Sequence, residues 1–147
     1  MTEKEQFASC LEKQKKILTI FSSYSTDEER YQKIILIGKD TPPLESLYKT
    51  PENIVPGCQS RMYLRSFTKD GKIFFEAESD ALISSGLAAL LIAVYSGETA
   101  ETILTCPPTY LEGLGLSTSL SPSRANGLYS VHLKMKQEAL RHLMGQK

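Results

Sequence analysis

One segment, ALISSGLAALLIAVYSG at residues 81–97, constrains the fold more than any other part of this 147-residue chain. It is apolar around most of a helical circumference, which is typical of a helix buried on nearly all sides. Residues 61–67 and 72–79 read as two strands, and Asp70-Gly71 between them favours a tight hairpin turn. The sequence therefore predicts a central helix beside an antiparallel hairpin.

Further helices are predicted on both sides of the hairpin. Apolar residues recur at helical spacing over residues 3–22, 25–38 and 99–106, and from about Arg124 to His142. The resulting order, α-α-β-β-α-α-α, predicts an α+β fold in which a small antiparallel sheet packs against several helices. We expect residues 1–147 to form a single domain.

The second helix carries its own start and stop signals. Ser25 and Thr26 are both candidate N-caps, because Glu28 and Glu29 follow them at the spacing of a capping box. Gly38 is the predicted end of this helix.

Charge and hydropathy exclude several classes of partner. Lys and Arg together number 17, as do Asp and Glu, so no basic surface for nucleic acid is expected. The longest apolar run, residues 87–95, is too short to cross a membrane, and the charged start MTEKEQF does not resemble a secretory signal. We therefore expect a cytoplasmic protein whose thiols stay reduced.

The motif VPGCQS places Cys58 directly after a Pro-Gly turn. A reactive thiol must be reachable, so a loop position favours function, whereas Cys10 and Cys106 fall at helix positions typical of packed residues. The residues alone leave a functional and a packing role for Cys58 equally open.

The usual surroundings of a catalytic cysteine are not found in the sequence. His132 and His142 both lie on the last helix without a paired Asn or Asp motif, which disfavours Cys-His hydrolysis. The cysteines and histidines lack metal-ligand spacing, and no glycine-rich phosphate loop occurs, so neither a metal nor a cofactor is predicted. A single loop thiol without catalytic apparatus fits a carrier better than a stand-alone enzyme.

Three blocks together, VPGCQSRMYL, ESDALISSGLAALLIAVYSGET and LGLSTSLSPSRANGL, resemble the SufE family of sulfur-acceptor proteins. The resemblance runs in order from about Glu28 to Leu128. It implies an α+β fold of the SufE/IscU-like type and a role beside cysteine desulfurases in iron–sulfur cluster assembly.

By this resemblance, Cys58 is the persulfide-forming residue. It takes sulfur from a persulfide on a cysteine desulfurase, a SufS-like pyridoxal-phosphate enzyme, stimulates that enzyme, and passes the sulfur to a cluster scaffold complex. Such a transfer requires alignment more than a built-in base, and docking provides alignment.

The resemblance also assigns supporting residues. Arg124 is expected to pair with a carboxylate on the partner or to brace the cysteine loop, and Asp80 to stabilise the start of the central helix or to lie at the interface. Gln59 and Ser60 are expected to hold the cysteine loop by hydrogen bonds, and Gly57 to give it backbone freedom.

Two alternatives remain open. A regulatory module would activate the desulfurase by contact and carry no sulfur. A cluster scaffold would need several converging ligands, which the separate positions of Cys10 and Cys106 do not suggest.

Overall fold

The computed structural model describes residues 3–58, 60–116 and 120–145. The architecture is α+β, with helices before and after a two-stranded antiparallel sheet, as predicted. The helices are α1 (Glu3–Gln6), α2 (Ala8–Phe21), α3 (Asp27–Asp40), α4 (Leu82–Tyr95), α5 (Ala100–Thr105), α6 (Tyr110–Gly113) and α7 (Pro122–Leu143). The strands are β1 (Met62–Lys69) and β2 (Lys72–Ser79), and the short 3-10 helices Ser46–Tyr48 and Pro51–Asn53 lie between α3 and β1.

The hairpin forms where the sequence predicts it. The residues of β1 pair with those of β2, beginning with Met62 opposite Ser79. Asp70 and Gly71 both take positive φ angles, of 54° and 78°, as a tight turn between twisted strands requires. The turn therefore sets the register that brings the two ends of the hairpin, and the cysteine loop before it, to the same side of the molecule.

The helix α4 is the centre of the core, as its composition predicts. It contacts α2, α3, β2 and α7. Its buried residues are Ile83, Ser85, Gly86, Leu87, Ala88, Leu90, Leu91, Val94 and Tyr95.

A close approach of α3 and α4 depends on two glycines. A Cβ at Gly86 would lie 2.0 Å from the carbonyl oxygen of Ile34, and a Cβ at Gly38 would lie 2.1 Å from that of Leu82. The prediction that Gly38 ends α3 is wrong, since α3 continues to Asp40. Gly38 serves helix packing instead of helix termination.

Other helix ends follow local sequence signals. Thr26 caps α3 in a capping box: its hydroxyl accepts a hydrogen bond from the backbone N–H of Glu29 at 3.1 Å, and the Glu29 carboxylate accepts one from the N–H of Thr26 at 3.2 Å. Ser121 caps α7, whose first residue is Pro122. The predicted helix over residues 3–22 is divided at Phe7, whose side chain is buried in the core.

The thiols of Cys10 and Cys106 belong to the core. Both residues are buried, and the amide of Gln14 points its Nε2 at the two sulfurs, at 3.7 and 3.8 Å. The same amide donates a hydrogen bond to the carbonyl of Pro107 at 3.0 Å. This contact ties α2 to the end of α5 and gives the two cysteines the packing role that their positions predict.

Among the described residues, none of the helices has the length and apolarity needed to span a bilayer.

Candidate functional site

The loop before β1 carries Cys58 to the surface of α7. Val55 anchors this loop, because its side chain is buried and its N–H donates to the carbonyl of Met62 at 2.9 Å. Gly57 then takes a φ of 87°, and a Cβ there would lie 2.6 Å from the hydroxyl oxygen of Ser130 on α7. Both the backbone angle and the lack of space require glycine before the cysteine.

The thiol of Cys58 is half-buried against α7. Its Sγ lies 3.8 Å from the carbonyl oxygen of Gly127, to which the thiol donates a weak hydrogen bond. A Cβ at position 127 would be 3.7 Å from the same sulfur. The absence of a side chain at Gly127 therefore leaves open space directly beside the thiol.

Burial raises the pKa of the Cys58 thiol above its usual value. Neither histidine acts as a base for it: His132 stacks on the ring of Tyr95, with 5.2 Å between the ring centroids, and Nε2 of His142 lies 2.8 Å from the hydroxyl of Ser66. The thiol is thus mostly protonated at neutral pH, and in this state it is a weak nucleophile.

Three of the predicted site residues, Cys58, Ser60 and Arg124, line one cavity of about 260 Å³. Residues of β1, α4 and α7 complete its wall. Its buried apolar members are Met62, Leu87, Leu128 and Val131. The cavity wall therefore has an apolar part, and the rest of it is made of polar and charged residues.

A chain of serines holds the loop after the cysteine. The hydroxyl of Ser79 donates to that of Ser60 at 3.1 Å, and the hydroxyl of Ser60 donates to that of Ser84 at 2.8 Å. Ser85 continues the chain, since its hydroxyl accepts from the N–H of Ser79 at 3.1 Å. These bonds connect the cysteine loop, the end of β2 and the first turn of α4.

Asp80 lies outside the cavity lining and before α4, whose N-cap is Ala81. Its carboxylate accepts a hydrogen bond from the backbone N–H of Arg61 at 3.1 Å, while its own N–H donates to the Arg61 carbonyl at 3.2 Å. Asp80 therefore braces the chain between Cys58 and β1.

Arg124, whose side chain ends in a guanidinium, is one of the residues that line the cavity, and its backbone N–H is used in the cap of α7, at 3.4 Å from the Ser121 hydroxyl. Among the described residues, none forms a hydrogen bond or an ion pair with this guanidinium. Gln59, also predicted for this site, lies outside the described residues.

Sequence reasoning missed Gly127 and the serines of α4. The motif SPSRANGL contains Gly127, but only the folded chain shows that this glycine faces the sulfur. Ser84 and Ser85 carried a weak signal, as polar residues at the start of an otherwise apolar helix. No group of three or more His, Cys, Asp or Glu side chains able to hold a metal is found within residues 3–58, 60–116 and 120–145.

Comparison with known proteins identifies the family of the chain. The SufE model, described as an Fe-S metabolism associated domain, matches residues 15–139. An uncharacterised SufE-like protein of Synechocystis sp. is 36% identical over 131 residues, which cover 89% of this chain and 82% of that protein. The SufE-like protein 1, chloroplastic/mitochondrial, of Arabidopsis thaliana is 39% identical over 132 residues.

The matched region covers 89% of this chain but only 35% of the length of the Arabidopsis protein. A solution structure of a hypothetical protein from Thermus thermophilus has a similar fold, with a TM-score of 0.73 and 25% sequence identity. That similarity covers 90% of this chain and 96% of the other. The chain belongs to the SufE family, which implies a role in iron–sulfur metabolism with a cysteine desulfurase as partner.

Proposed function

We propose that the protein carries sulfur as a persulfide on Cys58, taking it from a cysteine desulfurase, stimulating that enzyme, and delivering the sulfur to an iron–sulfur scaffold complex. The observation that carries this proposal is the position of the thiol. It is half-buried at the end of a braced loop, with open space beside its sulfur and no base of its own. Such a thiol suits transfer between proteins better than catalysis within one.

The transfer is an exchange between sulfur atoms. The Cys58 thiolate attacks the outer sulfur of the desulfurase persulfide, the S–S bond of that persulfide breaks, and the desulfurase cysteine leaves as a thiolate. One S–S bond is broken and one is formed, so no external oxidant or reductant is needed. Because the pKa of the thiol is raised by burial, docking must bring Cys58 into a setting that favours the thiolate.

The cavity gives the transferred sulfur a sheltered place. The buried side chains of Met62, Leu87 and Val131 form its apolar side. A persulfide turned toward this surface is kept from water and from oxidants that would convert sulfur to higher oxidation states. Shelter between donor and recipient is what a carrier requires.

The remaining site residues have supporting roles in this proposal. The guanidinium of Arg124 is available to an acidic group of the docked desulfurase. Gly57 and Asp80 shape the loop that presents the thiol, Ser60 holds it to α4, and Gln59 contributes to the same loop.

The experiment is mass spectrometry of the protein after incubation with a cysteine desulfurase and cysteine, without reductant. One added sulfur on the Cys58 peptide, dependent on the desulfurase, supports the proposal. The Cys10 and Cys106 peptides are internal controls, because both thiols are buried and should stay unmodified. Full stimulation of the desulfurase by Cys58→Ser would contradict the carrier role.

A contact activator is the second candidate, favoured by the guanidinium of Arg124, which has no partner among the described residues. In that case Cys58→Ser still stimulates the desulfurase and Arg124→Ala does not. The carrier predicts the opposite for Cys58→Ser, so the two variants separate the candidates.

In this proposal, residues 1–147 act as one SufE-like domain in the cytoplasm. One plant relative carries the words chloroplastic/mitochondrial in its name, so the compartment of the present chain stays a prediction.

A further inference from the structure

The cavity beside Cys58 is larger than one transferred sulfur requires. Its volume is about 260 Å³, whereas a water molecule, comparable in size to a sulfur atom, takes up about 30 Å³ of liquid. Small-molecule sites in proteins begin at roughly 300 Å³. The cavity thus approaches the size of a site for a small metabolite.

The groups around the cavity define what such a molecule must offer. Cys58 supplies a thiol, and Arg124 supplies a cation that no described residue neutralises. Ser84 and Ser123 add hydroxyl groups, and Leu87 lies on the apolar side. A planar guanidinium matches a carboxylate with two parallel hydrogen bonds, and a thiolate can exchange with the sulfur atoms of a disulfide or persulfide.

The guanidinium and the thiol are not paired with each other. The thiol donates its weak hydrogen bond to the carbonyl of Gly127, and none of the described residues forms an ion pair with the guanidinium of Arg124. A bound molecule can therefore have its anionic end at Arg124 and its sulfur at Cys58.

We infer that this cavity binds a small thiol, or the persulfide of one, that carries a carboxylate: Arg124 holds the carboxylate and the small molecule's sulfur faces Sγ of Cys58. Cysteine and similar mercapto acids belong to this chemical class. The site gives the carrier a route to exchange sulfur with small molecules as well as with proteins.

The exchange step rests on the proposed function, because it needs a persulfide on Cys58. The thiolate of the small molecule attacks the outer sulfur, the bond between that sulfur and Sγ breaks, and Cys58 leaves as a thiolate. The small thiol becomes a persulfide, and oxidation states balance without an added oxidant. The reverse reaction loads Cys58.

The first test needs no persulfide. Iodoacetate and iodoacetamide both alkylate thiols, and they differ in that the former carries a carboxylate. The ratio of their rates at Cys58, measured by peptide mass spectrometry, reports the carboxylate site. Replacing Arg124 by Gln is expected to lower this ratio about fivefold, the effect of one solvent-accessible ion pair. Arg124→Lys keeps the charge and should retain part of the preference.

Arg61→Gln is the matched control, because Arg61 is exposed, lies three residues from Cys58 in sequence and does not line the cavity. Its rate ratio should equal that of the wild type. The rate with neutral iodoacetamide shows whether each variant keeps the loop intact. An unchanged ratio in Arg124→Gln, or an equal fall in Arg61→Gln, would overturn the inference.

The second test follows the exchange itself. Cys58 is loaded with inorganic polysulfide, and sulfur release to thioglycolate is compared with release to its neutral analogue, thioglycolamide. Arg124→Gln should lower the thioglycolate preference by a similar factor. If Cys58 cannot be loaded with sulfur, the proposed carrier function fails. The ratio of the iodoacetate and iodoacetamide rates then still shows whether the cavity binds a carboxylate. If loading succeeds but release to both thiols is unchanged in Arg124→Gln, the inference fails and the carrier stands.

Discussion

Sγ of Cys58 lies 3.8 Å from the carbonyl oxygen of Gly127, across 69 positions of sequence, and a Cβ at Gly127 would come within 3.7 Å of that sulfur. A separation of 3.7 Å is an ordinary van der Waals contact, so a methyl group at position 127 fits beside the reduced thiol. A second sulfur on Cys58 would compete for that space. Stability and sulfur transfer should therefore respond in opposite directions to a substitution at Gly127.

For Gly127→Ala we expect a free energy of unfolding raised by up to about 1 kcal/mol, because alanine is favoured over glycine inside a helix. Loading of Cys58 by a desulfurase should be roughly tenfold slower, since the methyl group misplaces the incoming sulfur. Denaturant unfolding and timed mass spectrometry measure the two effects. Asn126→Ala, at an exposed neighbouring position, is the control and should leave loading unchanged.

Gly86→Ala tests the contact between α3 and α4. The added methyl group would lie 2.0 Å from the carbonyl oxygen of Ile34, so the helices must separate. We expect a loss of about 3 kcal/mol in the free energy of unfolding. Gly127→Ala makes the same chemical change where space exists, and an equal effect of both substitutions would contradict this account of the packing.

Gly57→Ala should displace the cysteine loop for two separable reasons. One is the φ of 87°, and the other is the 2.6 Å contact that a Cβ would make with the Ser130 hydroxyl oxygen. Adding Ser130→Ala removes the contact and keeps the backbone strain. We expect persulfide formation to fall in the single variant and to recover partly in the double variant. Full recovery would show that the backbone angle does not matter.

The rate of alkylation of Cys58 should depend on pH in the way expected for a buried thiol. Burial raises its pKa above the ordinary value of 9.0, so the rate with iodoacetamide should still be rising at that pH. Urea-unfolded protein is the control, and its curve of alkylation rate against pH should have its midpoint at the ordinary thiol pKa of 9.0. A midpoint below that of the unfolded protein would mean that a neighbouring group activates the thiol.

His132 should make the fold sensitive to acid. Burial, aided by the charge of Lys136, lowers its pKa from 6.5 to about 4, so the folded state prefers the neutral ring. The unfolded state takes up the proton first as the pH falls through 6.5, and stability decreases until the folded pKa is reached. The expected loss is about 3 kcal/mol between pH 7 and 4.

Denaturant unfolding across this pH range measures the loss. His132→Phe keeps a ring stacked on Tyr95 and cannot be protonated, so its stability should fall less over the same interval. Parallel curves for the two proteins would assign the acid sensitivity to other groups.

Elements of the fold that have local causes could be predicted from the amino-acid sequence. Asp70-Gly71 specifies the hairpin turn, Thr26 and Glu29 specify the start of α3, and the apolar circumference of residues 82–95 predicts the buried helix α4. Three sequence blocks together indicated the family, and the block around Cys58 contains the candidate thiol. Each of these signals lies within a few residues of the structure that it produces.

The surroundings of the thiol, in contrast, depend on how the whole chain folds. Gly127 faces Cys58, Ser84 bonds to Ser60, and Gly38 packs on α4 where the sequence predicts a helix end. These contacts join residues far apart in the chain, and helical or strand periodicity carries no information about which distant backbone comes close. The space beside the sulfur exists because two helices, a strand and a loop meet there, and that meeting depends on the packing of the whole core.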